Sequence, residues 1–266
     1  MREVEILTSP WAQRLAELAS AAHESVQVCS PFVNRGGVDV LLTATPPTTE
    51  IRLLSRFSAA HFAGGFSETG AFRAVLARGG QVRNCQRLHA KVYLFDARCA
   101  VVTSGNLTGG GLRANYEYGV LLRAPELVST VDCDFRRLWD DQATGHIDAE
   151  VLAEIDELVR RAPRVCYVEA AATRDTEGEA ELVLDEAEAA IRDTLTGWKR
   201  SVFQALTELE GTEFALAQVY RYAARFAREY PDNENIEAKI RQQLQMLRDL
   251  GLVKFLGGGR YRKLWR

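Results

Sequence analysis

The chain has 266 residues, of which 47% are hydrophobic and 26% charged, and its formal net charge is −3. This length suits two modest domains or one large one, and the composition is that of an ordinary globular protein. No apolar run approaches the ~20 residues of a membrane span, and the N-terminus lacks the apolar core of a secretory signal. We therefore expect a soluble cytoplasmic protein with no membrane partner.

Short apolar runs alternate with helical patterns in residues 1–167, which predicts an α/β fold with helices flanking a sheet. The predicted strands are 25–29, 50–55, 81–84, 88–95, 99–104 and 116–122. The predicted helices are 9–23, capped by Ser9 with Pro10 at its first position, 68–80 and 124–142. Loops are predicted at 34–37, 44–50 and 59–68.

Residues 168–197 contain 2 Lys and Arg against 9 Asp and Glu, with no strand pattern, which indicates an acidic linker or a bridging helix. Residues 198–266 contain 13 Lys and Arg against 8 Asp and Glu. Helices are predicted there at 198–209, 217–230 and 233–251, followed by a hairpin at 252–265 that turns at three glycines. We expect a small α+β domain of separate function.

The five cysteines are odd in number and none shows C-x-x-C spacing, so neither a disulfide framework nor a metal site is expected.

A different cluster of residues has the chemical groups of an active site. His89 and Lys91 share one side of a predicted strand, and Ser104 and Asn106 follow the next strand. If these strands are neighbours, the four side chains meet at one sheet edge. There Lys91, Ser104 and Asn106 can hold a phosphate, while His89 acts as nucleophile or general acid.

The stretch 89–106 resembles the H-x-K-x4-D-x6-G-S-x-N signature of the phospholipase D superfamily, through His89, Lys91, Asp96, Ser104 and Asn106. Thr103 stands where that signature usually has glycine. The resemblance implies that His89 forms a covalent phosphohistidine and that Lys91 and Asn106 stabilise the phosphoryl charge. It also implies that Glu117 orients the histidine, that Asp96 is structural, and that no metal or other cofactor is needed.

The same resemblance implies a second histidine, from another copy of the motif, that protonates the leaving oxygen. The other histidines are His23, His61 and His146, and none has a lysine two residues later. We therefore expect a homodimer whose active site is shared across the two-fold axis. The single-motif branch of the superfamily contains bacterial nucleases and restriction-type endonucleases.

Other polar residues have less specific interpretations. His61 is expected in a loop, with a substrate contact as the alternative. Arg56 and Arg113 are expected at the surface, although either would suit a substrate phosphate. The segment Cys29-Ser30-Pro31 follows a strand and is a secondary candidate for lining the site.

Three helices and a glycine-turned hairpin resemble C-terminal winged-helix modules, including those of restriction endonucleases. The resemblance implies that the third helix enters the major groove and that the hairpin contacts phosphate or the minor groove. Protein binding is the alternative use of such a module. The candidate DNA-binding residues are Asn235, Lys239, Arg241, Gln242 and Gln243 on the helix, and Lys254, Arg260, Tyr261, Arg262 and Lys263 on the hairpin.

The sequence thus predicts a phospholipase D-like catalytic domain (1–167), an acidic connector (168–197) and a winged-helix domain that binds double-stranded DNA (198–266). The leading hypothesis is a metal-independent endonuclease of restriction or defence, with defence-system subunits as further partners. Two alternatives stay open: a DNA-binding regulator or complex subunit with a weak or inactive catalytic domain, and a phosphodiesterase acting on RNA or phospholipid.

Overall fold

The structure is a computed structural model that describes residues 3–169, 180–186 and 188–266. It divides into two compact units, Met1–Phe57 with Phe66–Leu152, and Ser58–Gly65 with Ala153–Arg266. The exact limits of the three predicted segments stay predictions. Part of the predicted acidic connector, residues 170–179 and 187, lies outside the described residues.

The first 161 residues alternate strands and helices. In chain order they are β1 (Val4–Thr8), α1 (Ala12–Ser20), β2 (Ser25–Cys29), α2 (Arg35–Ala44), β3 (Glu50–Ser55), α3 (Ala59–Ala63), α4 (Thr69–Ala77), β4 (Gln81–Asn84), β5 (Val92–Phe95), β6 (Cys99–Thr103), a π-helical turn (Gly110–Ala114), β7 (Tyr118–Leu122), α5 (Pro125–Trp139), β8 (Gly145–Ile147) and α6 (Ala149–Arg161).

Eight strands of the first unit form one mixed sheet in the order β1-β7-β6-β5-β2-β3-β4-β8. The strands β2, β3 and β4 run parallel, and the remaining neighbours are antiparallel. On one face, Val128 of α5 packs against Leu94 and Ala100. On the other, the ring of Trp11 meets that of Tyr93 edge-on, with the centroids 5.0 Å apart. The predicted α/β class, a sheet flanked by helices, is confirmed.

The helix α2 was not predicted, because Gly36 and Gly37 made this stretch resemble a loop. Asn34 begins the helix, since its side-chain oxygen accepts the N–H groups of Gly37 at 3.2 Å and Gly109 at 2.9 Å. A Cβ atom on Gly37 would lie 2.3 Å from the carbonyl carbon of Leu107. Glycine is therefore required by a close backbone approach to the segment after β6.

Ser9 does not cap α1, which begins at Ala12. Ser9 instead pairs with Glu117: its hydroxyl accepts the Glu117 N–H at 2.8 Å, and its own N–H donates to the Glu117 carbonyl at 3.2 Å.

The predicted strand 88–95 is also shorter than expected. Its ladder begins at Val92, so His89 and Lys91 lie in the extended segment that leads into β5.

The second unit contains α3 and, after α6, a set of short strands and helices. These are β9 (Val165–Glu169), β10 (Ala180–Leu184), α7 (Glu188–Arg192), α8 (Gly197–Thr207), β11 (Glu213–Ala215), α9 (Leu216–Tyr220), α10 (Ala223–Glu229), α11 (Ile236–Asp249), β12 (Val253–Gly257) and β13 (Arg260–Lys263). The helices α8 to α11 and the sheet β11-β13-β12 form the winged-helix arrangement, in which the predicted helix 217–230 is divided into α9 and α10. The predicted small α+β domain is confirmed.

The acidic connector is not devoid of strands. Within its described part, β10 pairs antiparallel with β9 in a two-stranded sheet. The reason is the apolar run Leu182, Val183 and Leu184, whose side chains are all buried.

His61 also differs from expectation, because it is buried in helix α3 instead of exposed in a loop. Among the described residues, no helix has the length and apolar character needed to cross a membrane.

Candidate functional site

Sheet order brings the predicted catalytic residues together at one edge of the first unit. The strands β5 and β6 are antiparallel neighbours, with Val92 opposite Val102, and the ladder continues through the Thr103 N–H, which donates to the Lys91 carbonyl at 3.1 Å. The start of β5 therefore lies beside the end of β6 and the start of β7. This places the five candidates His89, Lys91, Ser104, Asn106 and Glu117 at the same edge.

His89 and Lys91 are adjacent in space as well as in sequence. The Lys91 Nζ donates to the His89 carbonyl oxygen at 2.9 Å and lies 3.5 Å from His89 Nε2. His89 is exposed and Lys91 is half-buried. The pKa of Lys91 is held below its ordinary value, first by burial and then by the nearby charge of Arg56, with Glu117 opposing both. The imidazole is thus open to solvent beside a fixed cation.

Glu117 is held by Ser104 and Asn115. Its carboxylate accepts a short hydrogen bond from the Ser104 hydroxyl and a bond of 3.2 Å from the Asn115 amide. The Ser104 oxygen in turn accepts the Tyr118 N–H at 3.0 Å. Because the single Ser104 hydroxyl hydrogen is used in this way, Ser104 orients Glu117 here, whereas the sequence suggested a phosphate donor. Glu117 correspondingly contacts Ser104, where the resemblance implied a bond to the histidine.

Asn106 is oriented by the segment after β2. Its Oδ1 accepts the Phe32 N–H at 3.4 Å and lies 3.5 Å from the Ser30 Oγ, which also accepts the Leu107 N–H at 2.8 Å. With Oδ1 used as the acceptor, the amide Nδ2 is the donor that this side chain offers to a substrate oxygen. Ser30, a secondary candidate in the sequence, is therefore part of the site.

The loop that carries Asn106 is wound too tightly for larger residues. A Cβ on Gly105 would lie 2.8 Å from the Gly111 carbonyl oxygen, and one on Gly111 would lie 2.5 Å from the Asn106 carbonyl oxygen. The Gly111 carbonyl accepts the Trp11 indole N–H at 2.9 Å, and the Gly105 carbonyl accepts the Tyr93 hydroxyl at 3.1 Å. Two buried aromatic residues thus fix the backbone on which Asn106 sits.

Thr103, where the signature usually has glycine, is accommodated by its partner on β7. Thr103 lies opposite Gly119, and a Cβ at Gly119 would lie 2.8 Å from the Thr103 Cβ. The Thr103 hydroxyl donates to the Tyr118 carbonyl at 3.1 Å and accepts the Gly105 N–H at 3.2 Å. The absence of a side chain at Gly119 therefore leaves room for the threonine.

Asp96 lies at the other end of β5 from His89. Its carboxylate accepts the backbone N–H groups of His23, Glu24 and Ser25 at 2.9, 2.7 and 2.9 Å. Burial alone would raise the pKa of Asp96, but these three donors and the charge of Arg98 lower it overall. The contacts account for Asp96 as a structural residue.

Two further arginines flank the site segments. The Arg56 guanidinium carbon lies 5.3 Å from the centre of the Phe32 ring. Arg113 is exposed, and its guanidinium donates to the Gly36 carbonyl at 3.3 Å. Among the described residues, no group of three or more His, Cys, Asp or Glu side chains is arranged to hold a metal ion.

The predicted recognition helix, α11, places its candidates on different faces. Its apolar residues Ile240, Leu244 and Leu247 are buried, as is Leu250 directly after the helix. Gln243 was predicted to be exposed but is buried, at 3% exposure, because it lies three residues after Ile240 and four before Leu247. The exposed candidates are Arg241, which donates to the Tyr220 hydroxyl at 2.6 Å, Gln242 and Asn235, while Lys239 is half-buried.

The hairpin also differs from the prediction. Lys263 is buried, and its ammonium donates to the Leu209 carbonyl at 2.7 Å, so it does not face a ligand. Lys254 and Arg262 lie side by side across β12 and β13, and both form ion pairs with Glu181 of β10. These contacts satisfy cations that were predicted to reach DNA.

The remaining hairpin candidates differ in access. Arg262 also pairs with Glu213 on the neighbouring strand at 2.6 Å. Arg260 pairs with Glu213 as well, but its side chain remains 65% exposed. Tyr261 stacks on Phe214 with the ring centres 5.4 Å apart, and burial raises its pKa. Arg260 is therefore the hairpin cation best placed for phosphate.

Comparison with known proteins finds family matches in both parts of the chain. Residues 15–139 match the family described as "Cardiolipin synthase, PLD-like domain", and residues 195–263 match the "Dam-replacing HTH domain". A curated relative, the mitochondrial cardiolipin hydrolase of Chlamydomonas reinhardtii, is 25% identical over 128 residues, which are 48% of this chain. The match spans about half, 56%, of that relative's length.

Several solved structures are similar to part of the chain. They include the phospholipase D family member Nuc from Salmonella typhimurium (16% identity, 55% of this chain, 98% of that chain, TM-score 0.47). NucT from Helicobacter pylori is 13% identical, covers 54% of this chain and 98% of that chain, and has a TM-score of 0.40. The archaeal chromatin protein TrmBL2 is 11% identical, covers 55% of this chain and 54% of that chain, and has a TM-score of 0.42.

Proposed function

Because the chain combines a phospholipase D-like domain with a C-terminal helix-turn-helix domain of the Dam-replacing type, we propose that it is a phosphodiesterase that cleaves double-stranded DNA. The observation that carries this proposal is the convergence of His89, Lys91, Asn106 and Glu117 at one sheet edge. An exposed imidazole beside a cation and an amide donor suits attack on a phosphodiester, and the helix-turn-helix domain suits a nucleic-acid substrate.

In the proposed reaction, a nitrogen of the His89 imidazole uses its lone pair to attack phosphorus. A P–N bond forms, the bond from phosphorus to the leaving oxygen breaks, and that oxygen takes a proton from a second histidine. Water then attacks the phosphohistidine, the second histidine takes the water proton, and His89 is released. Lys91 and the Asn106 amide stabilise charge on the non-bridging oxygens throughout, without requiring a metal ion.

The second histidine is proposed to come from another copy of the chain. Exposed apolar side chains on the sheet support association of two copies: Val4, Ile6, Val102 and Tyr118 are 46%, 57%, 39% and 55% exposed. They lie on one face of β1, β7 and β6, since Ile6 and Val102 both oppose Val120 in the ladder. A second copy packed on this face would bury them.

Subunit mixing tests this arrangement. If each site needs His89 from both copies, exchanging wild type with an equal amount of His89→Ala should leave about a quarter of the activity of undiluted wild type, since only wild-type pairs are active. Retention of half the activity would show that one copy carries a complete site.

DNA binding is proposed for the exposed face of α11, through Asn235, Lys239, Arg241 and Gln242, together with Arg260 of the hairpin. The long side chains suit base edges and phosphates of the major groove. We also propose a role in restriction or another defence process. Comparing cleavage of plasmid from hosts with and without DNA methyltransferases tests that role, because restriction predicts that only one plasmid is cleaved.

The direct test is plasmid cleavage in excess EDTA by wild type and His89→Ala. The matched control is His146→Ala, which removes another exposed histidine, on β8. We expect wild type and His146→Ala to cleave and to form a denaturation-resistant protein–DNA adduct, and His89→Ala to do neither while still binding DNA. Binding without cleavage by all three proteins would favour a regulator. Cleavage of RNA or cardiolipin vesicles alone would replace DNA as the substrate.

A further inference from the structure

Two phenylalanines lie next to the catalytic edge. Phe32 follows β2 and Phe66 precedes α4, and their ring centres are 5.6 Å apart at an interplanar angle of 38°. Phe66 is 40% exposed and Phe32 is half-buried. The backbone N–H of Phe32 also donates to the Asn106 Oδ1, so the aromatic pair is connected directly to a proposed catalytic side chain.

Arg56 connects the same pair to Lys91. Its guanidinium carbon lies 5.3 Å from the Phe32 ring centre, within the range of a cation–π contact. The charge of Arg56 also lowers the pKa of Lys91, as the second cause after the burial of Lys91 itself. Arg56 immediately follows β3, which is parallel to β2, so the ends of both strands meet at the catalytic edge. An aromatic surface, a guanidinium and the catalytic lysine thus follow one another along this edge.

This sequence of groups matches the parts of a nucleotide. A nucleobase stacks on aromatic rings whatever its identity, and a guanidinium beside the rings binds the attached phosphate. We propose that Phe32, Phe66 and Arg56 form a subsite that stacks one unpaired nucleobase next to the phosphate attacked by His89. The inference rests on the proposed function, because it takes nucleic acid as the substrate.

The subsite has a consequence for the duplex. A base that stacks on Phe66 must leave the base stack of the double helix, as it does in enzymes that extrude a nucleotide. A mismatch, a nick or a single-stranded segment at that position should therefore raise the cleavage rate. Cleavage of a fully paired site should include the cost of unpairing one base pair.

An abasic scan tests the subsite. Oligonucleotides that contain one cleavage site and are unpaired around it, so that no base pair has to open, carry a tetrahydrofuran abasic unit at each position in turn, and KM and kcat are measured for wild type, Phe66→Ala and Phe66→Leu. Tyr167→Ala is the matched control, since Tyr167 is a 63% exposed aromatic residue on β9. We expect one abasic position to raise the wild-type KM by roughly 10- to 100-fold, the range that loss of base stacking corresponds to.

The effects of the Phe66 substitution and of the abasic unit on KM should not add. Phe66→Ala and Phe66→Leu should each raise KM on the intact oligonucleotide and abolish the abasic effect, while Tyr167→Ala should behave as wild type. Additive losses, or no loss with Phe66→Ala, would overturn the subsite although cleavage by wild type persists. If wild type cleaves no nucleic acid, the proposed function itself fails. Full activity of Phe66→Leu on cardiolipin vesicles, with loss in Phe66→Ala, would instead assign the surface to an acyl chain and overturn base stacking.

Discussion

The carboxylate of Asp96 provides a quantitative test of the distinction between catalytic and structural residues in the motif. Its three backbone donors come from the segment that leads into β2. Asp96 also has a φ angle of 51°, in the left-handed region that Asn and Asp tolerate better than Ala. Replacing it with Ala removes the acceptor and strains the backbone, whereas Asn keeps the shape and one side-chain oxygen.

The expected magnitude follows from these contacts. Hydrogen bonds to a charged group contribute about 1.5–3 kcal/mol each, and water replaces part of this at a partly buried site, so their loss should cost roughly 2–4 kcal/mol. The left-handed backbone adds roughly 1 kcal/mol for alanine. We therefore expect Asp96→Ala to lower the free energy of unfolding by roughly 3–5 kcal/mol and Asp96→Asn by roughly 1–2 kcal/mol. For about 150 residues, each kcal/mol lowers Tm by about 2–4 °C.

Thermal unfolding of wild type and the Asp96 variants from pH 2 to 7 measures the loss of stability. Cleavage is assayed at a temperature below the Tm of every protein compared. Because the pKa of Asp96 is lowered on folding, its stabilisation is complete above the unfolded pKa and is lost as the pH falls through the folded pKa. The difference between wild type and Asp96→Asn should therefore shrink in acid. Unchanged stability of Asp96→Asn, with cleavage lost by more than about 100-fold, roughly 2.7 kcal/mol, would refute the structural role.

Four substitutions in the second unit have defined outcomes. Gly251→Ala should unfold that unit, because Gly251 has a φ angle of 73° and its added Cβ would lie 2.3 Å from the Ser58 Cα; circular dichroism measures this. Lys263→Met should lower Tm without changing the salt dependence of DNA affinity, whereas Arg241→Ala should leave Tm unchanged and weaken binding. Burial opposes ionisation of Glu181, but Lys254 and Arg262 lower its pKa overall. Glu181→Gln should therefore lower the free energy of unfolding by roughly 1–3 kcal/mol above pH 5 and by less in acid. Urea unfolding above pH 5 and in acid measures the difference.

The sequence predicted three strands with the residue bounds that the structure has, β2, β3 and β4, in which the apolar residues Val26, Val28, Ile51, Leu53 and Val82 are buried. It did not predict α2, since the reason for Gly37 is a contact with Leu107, seventy residues later. It also missed α6, although Asp148 accepts the N–H groups of Glu150 and Val151 ahead of an apolar stripe. In the second case a local helix-start signal was present in the sequence.

The site was predictable to the extent that it follows from strand order. The spacing from His89 to Asn106 specifies two strands and a turn, so adjacent pairing of β5 with β6 brings the motif together. Ser9 and Phe32 reach the site through contacts over 108 and 74 residues, which no local pattern encodes. Gln243 and Lys263 were predicted to be exposed because their side chains are polar. They are buried because their positions on the helix and on the hairpin lie on the faces that pack inward.

Within the first unit, neither His23 nor His146 is placed to serve as the second histidine of the proposed acid–base pair. The imidazole that becomes phosphorylated has used its lone pair, so the leaving oxygen needs a proton from another group. The backbone of His23 bonds to Asp96, at the opposite end of β5 from His89, and four residues of strand span about 13 Å. His146 lies on β8, four strands from β5 in the sheet, or roughly 19 Å. Neither side chain reaches a phosphate held by Lys91, which is why the second histidine is proposed to come from another copy of the chain.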